Sequence, residues 1–96
     1  MTQGRSDKDH RPQIETTTIN EAEREITEKL FERLKEKGYG TWLSRHEIFG
    51  IFKEEEYELV KAIHGESIER VKQELIDVAV ACIFGVACIN SDKLDW

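Results

Sequence analysis

The chain has 96 residues, a formal net charge of −6 and 35% charged residues, the profile of one small soluble domain. The acidic balance argues against a nucleic-acid polymer or an anionic membrane as partner, because both repel net negative charge. A phosphorylated small molecule stays open, since a bound metal inverts the local sign.

Residues 1–18 read as a polar tail with little order, holding the one proline, Pro12, and the run Thr16-Thr17-Thr18. No apolar core segment occurs between Met1 and Ile19, so no signal peptide is expected and a cytoplasmic location is the default. Residues 19–96 read as a single all-α domain. Its first helix is expected to begin near Asn20, with Asn20 as cap and Glu23 as its capping-box partner. Ile19, Ala22, Ile26, Leu30, Phe31 and Leu34 then recur at helical spacing. Gly38 is a natural stop after Lys35 and Lys37, whose charges suit a helix C-terminus. Tyr39 to Leu43 form a connection carrying two large aromatics, Tyr39 and Trp42.

A second helix is expected from Ser44, where Ser44-x-x-Glu47 repeats the capping box. It runs through Ile48, Ile51, Phe52, Leu59, Val60 and Ile63 to Gly65. Gly50 is a weak point within it, suited to close packing. His46 and His64 read as surface residues near the helix ends.

The third helix is expected from Ser67 to about Asn90. From Leu75 onward it is apolar on every side, so it is expected to be surrounded. Two other helices of one chain cannot surround it. The expected architecture is therefore an antiparallel helical hairpin plus an N-terminal helix, completing a four-helix-type bundle as a homodimer or homotetramer. Its longest apolar stretch, Val78 to Ile89, is too short to span a bilayer. Cys82 and Cys88 lie about 9 Å apart along that helix, too far to bridge, and read as two buried thiols.

Two acidic clusters carry the chemistry. Glu54-Glu55-x-x-Glu58 lies in the second helix, and Glu74-x-x-Asp77 in the third. Residues three or four apart on a helix have Cβ atoms about 5–6 Å apart, so each pair can grip one cation. Glu55 and Glu58 share the stripe of Ile48, Ile51 and Leu59, and Asp77 interrupts an apolar run. A carboxylate aimed at an apolar interior is costly unless a cation or a donor neutralises it. In a hairpin the two clusters come level. Glu55, Glu58, Glu74 and Asp77 are thus the expected metal ligands, and hard oxygen donors without His or Cys suit Mg²⁺, or Mn²⁺. A ferritin-like di-iron site would need Glu-x-x-His pairs, and the residues three before His10, His46 and His64 are Asp7, Leu43 and Lys61.

The order Glu-Glu-x-x-Glu, spacer, Glu-x-x-Asp resembles the signature of the all-α nucleoside triphosphate pyrophosphohydrolases, the MazG-like family. ERLKEKGYGTW before the motif, ELVKAI continuing it and ELIDVAVACI after it extend the resemblance over about Glu25 to Ile89. The resemblance implies Mg²⁺-dependent cleavage of a nucleoside triphosphate between the α and β phosphates, giving a monophosphate and pyrophosphate. Carried over by position, it implies Glu55, Glu58, Glu74 and Asp77 as metal ligands. Glu54 would be an outer carboxylate that orients or activates water, placing Glu54 and Glu55 at the catalytic centre. Longer members of the family carry a further C-terminal segment with phosphate contacts. Here those contacts are expected from Lys53, Lys61, Arg70, Lys72 and Lys93, or from a partner chain, with Trp42 or Tyr39 available to stack on a base. The competing expectation is a non-catalytic, metal- or nucleotide-binding helical oligomer.

Overall fold

The computed structural model describes residues 11–92 and Leu94, and the regular elements among them are three α-helices. These are α1 (Thr16–Lys37), α2 (Arg45–Gly65) and α3 (Ile68–Asn90).

The first helix starts four residues earlier than Asn20. Glu15 is its N-cap, in extended backbone and without a side-chain capping bond, and its carbonyl accepts from Thr18 N at 3.0 Å. Asn20 is therefore inside the helix, and the threonine run expected in the tail forms its first turn. Adding turns to an existing helix costs far less than nucleating one, so a helix anchored by Ile26, Leu30 and Leu34 extends back through a polar segment. Residues 1–10 of the expected tail lie outside the described residues. The C-terminal end follows the sequence: Gly38 takes φ 91°, and its N–H donates to Leu34 O at 2.7 Å.

The cap expected at Ser44 forms, and Ser67, the expected start of the third helix, caps it as well. The Ser44 hydroxyl accepts from Glu47 N at 3.2 Å, while the Glu47 carboxylate accepts from Leu43 N at 2.7 Å, one residue upstream of the usual capping-box amide. The Ser67 hydroxyl accepts from Arg70 N at 3.2 Å. Only Glu66 and Ser67 separate α2 from α3, so the pair folds back as an antiparallel hairpin.

The central element is α3. Both α1 and α2 pack on it and not on each other among the described residues, which opens a cleft between them with α3 as its floor. The core is thin: Ala62, Ile76 and Cys88 are its buried apolar members, joined by Gly85. Trp42 in the α1–α2 connection closes one end. Its ring meets Phe84 edge-on, with centroids 4.9 Å apart, and its backbone N–H donates to Cys88 Sγ at 3.4 Å. Gly85 is buried beneath Trp42, and a Cβ there would make ordinary contact with Trp42 Cζ3 at 3.5 Å.

Two expectations change. Cys88 is buried but Cys82 is exposed, so only one thiol is sequestered. Gly50 marks no close packing, because nothing lies within 4 Å of where its Cβ would be. The apolar belt of α3 is not surrounded within one chain: Leu75, Ile83, Val86 and Ile89 are exposed, as are Phe49, Val60 and Ile63 on α2. Taken whole, α3 is also long and apolar enough to cross a membrane by length and composition, although Val78 to Ile89 alone is too short.

Candidate metal centre

Glu74 and Asp77 are one turn apart on α3 and face the same way, while Glu55 comes from the facing turn of α2. One oxygen from each of Glu55, Glu74 and Asp77 can be chosen so that all three lie within 4.8 Å of one another. Glu74 is buried, at 5% relative exposure, and the other two are half-buried.

Three carboxylates this close repel one another, and two arginines offset the charge. Arg70, one turn before Glu74 on α3, hydrogen-bonds Glu74 and also donates from Nε to Glu66 Oε1 at 3.2 Å. The hydrogen bond to Glu66, followed by the charge of Glu74, raises the Arg70 pKa. Arg33 reaches across from α1 to Asp77, with Nη2 3.6 Å from Oδ1. Glu55 lacks so close a counter-charge. Burial first, then the negative charge of Asp77, pushes its pKa up, and Arg33 only partly opposes this.

The cluster opens onto the cleft between α1 and α2, a cavity of about 200 Å³. Glu55 and Asp77 stand on its wall beside Arg33 and Lys37 of α1. The apolar Leu30, Leu34, Trp42 and Phe84 line the same cavity. One cavity thus joins an acidic end, a basic strip and an aromatic wall.

The donor set fits a hard divalent cation. Oxygens bound to one Mg²⁺ lie at about 2.0–2.1 Å from it and hence at most about 4.2 Å apart. The three oxygens lie within 4.8 Å of one another, a little beyond that span. Three carboxylates also leave coordination positions for water and phosphate, as Mg²⁺ prefers.

The remaining predicted residues fall elsewhere. Glu58 is not drawn into the cluster: it is exposed and its carboxylate is 3.6 Å from Lys61 Nζ. At about 100° per residue it sits roughly 60° round α2 from Glu55, at the edge of the inward stripe. Glu54 is exposed, one position before Glu55. Lys53 pairs with Glu56 at 2.6 Å on the outer surface of α2. Lys72 pairs with Glu25 at 3.0 Å in a separate groove between α1 and α3, and that hydrogen bond raises its pKa. Lys61 also lies 5.2 Å over the Tyr57 ring. Trp42 does line the cleft, Tyr39 is exposed, and Lys93 lies outside the described residues.

Arg33 and Lys37 are the cleft residues that the motif reading missed. Their signal was present in the sequence. They stand one turn apart beside Leu30 and Leu34, on the inward stripe of the first helix. No protein-family model matches the chain, and no curated protein or solved structure matches it either.

Proposed function

We propose that the chain is an Mg²⁺-dependent nucleotide pyrophosphohydrolase that cleaves nucleoside triphosphates between the α and β phosphates, a role in clearing nucleotides from the pool. The observation that carries this is the convergence of Glu55, Glu74 and Asp77, the first and last of which line a cleft that also holds Arg33, Lys37, Trp42 and Phe84. The order of the two acidic motifs, similar to that of MazG-like enzymes, supports the same reading.

Glu55, Glu74 and Asp77 would hold the metal. Mg²⁺ bound there neutralises phosphate charge and acidifies a coordinated water. Glu54, beside the cluster and exposed, serves as the outer carboxylate that orients that water or accepts its proton. Trp42 and Phe84 present an apolar wall on which a nucleobase can lie and from which water is excluded. Little covalent chemistry is asked of the protein, so positioning and charge carry the reaction.

The exposed apolar residues of α2 and α3 are assigned to a second copy of the chain, giving a homodimer or homotetramer in the cytoplasm. A partner copy fits this surface better than a bilayer does, because the N-terminal half of α3 carries Glu69, Arg70, Lys72, Glu74 and Asp77.

Incubating the protein with a panel of standard and modified nucleoside triphosphates and Mg²⁺ tests the proposal. Release of pyrophosphate from at least one of them is expected. Its absence across the panel, with no effect of Mg²⁺ on the melting temperature, would leave only a structural helical oligomer.

A further inference from the structure

The acidic cluster is held by two arginines of unequal grip, and the difference shows which one can let go. Arg70 is clamped twice, by hydrogen bonds to Glu66 and Glu74, and both partners lie within one turn of it. Arg33 has a looser hold. Its Nη2 is 3.6 Å from Asp77 Oδ1, beyond good hydrogen-bond range. It also comes from a different helix, α1, which among the described residues packs on α3 and not on α2. A partly exposed ion pair of this kind is worth little, so a divalent cation arriving at Asp77 displaces the guanidinium at small cost.

The displaced group has a place to go. Arg33 and Lys37 stand one turn apart on the cleft wall, and the same cavity holds Glu55 and Asp77. We infer that Arg33 and Lys37 form the polyphosphate-binding side of this cleft, with Arg33 acting as a resident counter-ion to Asp77 until a metal ion takes the carboxylate. In the metal-free chain Arg33 offsets the repulsion within the cluster. With the metal in place its planar fork turns to the phosphate oxygens, which it can bind in bidentate fashion, and Lys37 adds a point charge one turn away. The cleft therefore binds polyphosphate only after metal. The lysines paired elsewhere, Lys53 with Glu56 and Lys72 with Glu25, take no part in this.

The inference rests on the metal-site reading above, and its test separates the two. Mn²⁺ binding is followed by the loss of its free electron-spin resonance signal, and inorganic tripolyphosphate serves as the anion, so no choice of base is needed. Wild type, Arg33→Gln and Arg33→Lys are compared, with circular dichroism as the check on folding. Arg33→Gln is expected to bind Mn²⁺ about fivefold more tightly, the size of one exposed ion pair. It is expected to bind tripolyphosphate, in the presence of Mn²⁺, about tenfold or more weakly. Arg33→Lys keeps the charge but not the fork, so Mn²⁺ binding stays near that of wild type while tripolyphosphate binding falls. Should the glutamine variant fail to fold, that split in the lysine variant decides alone. If wild type takes up Mn²⁺ and the arginine variants change neither affinity, or weaken both together, the role of Arg33 is wrong and the metal centre stands. If wild type takes up no Mn²⁺, the metal centre is wrong and this inference falls with it.

Discussion

A half-buried carboxyl beside two others is unfavourable once ionised, and Glu55 is in that position. Its pKa is raised, so folding shifts its balance toward the protonated form relative to the unfolded chain. The stability this contributes is fully present below the unfolded value of about 4.3 and is lost as pH rises through the folded value. Glu55→Gln removes the penalty. In metal-free buffer the variant is therefore expected to melt above wild type at pH 7 and level with it near pH 3.5, by calorimetry at both pH values. Mg²⁺ reverses the order at pH 7, since it raises the melting temperature of wild type and leaves that of Glu55→Gln nearly unmoved. For turnover, Glu55→Gln and Asp77→Asn are each expected to lose about a hundredfold or more of Mg²⁺-dependent hydrolysis with helicity unchanged. At this scale the motif spacing was informative but incomplete. Period alone put Glu55, Glu74 and Asp77 on facing stripes, and the structure brings those three together. It also put Glu58 there, and a rotation of roughly 60° round the helix leaves that residue with Lys61 instead.

At the scale of the helices, the starts at Ser44 and Ser67 were legible because each is a local event, one hydroxyl accepting one amide three residues on. Replacing either serine with alanine is expected to cost about 1 kcal/mol, read from urea unfolding midpoints at constant slope. The start of α1 was not legible. Asn20 and Glu23 make a credible cap, yet the helix passes through them to Thr16 with no side-chain cap at all. A helix end set by elongation rather than by a capping side chain leaves no residue signature. Glycine positions divide in the same way. Gly38 carries a positive φ and a real stop, whereas Gly50 faces open space. Gly50→Ala should therefore stabilise the chain by about 0.5–1 kcal/mol, by the same unfolding measurement. A loss of stability there would reveal packing against a second copy.

For the whole molecule, the question is what covers the apolar surface. A groove lined by Phe52, Ala81, Cys82, Val86 and Ile89 is almost wholly apolar, and Val86 and Ile89 are more than half exposed. The sequence made the hydrophobicity of α3 plain, but periodicity cannot distinguish a face buried in its own chain from one awaiting a partner. Light scattering after gel filtration should give a mass of at least two chains, and Val86→Glu should shift it toward one, because a charge in that groove loses its hydration on association. The three-helix arrangement also explains why the site lies where it does. Because α1 and α2 pack on α3 and, among the described residues, not on each other, Glu55, Asp77, Arg33 and the Trp42–Phe84 pair share one open cleft. The decisive measurement is phosphorus NMR of the products after incubation with Mg²⁺ and the best nucleoside triphosphate of the panel, for wild type beside Asp77→Asn. The account requires a nucleoside monophosphate and pyrophosphate from wild type and an intact triphosphate with the variant. A nucleoside diphosphate with free phosphate, or equal turnover by both proteins, would contradict it.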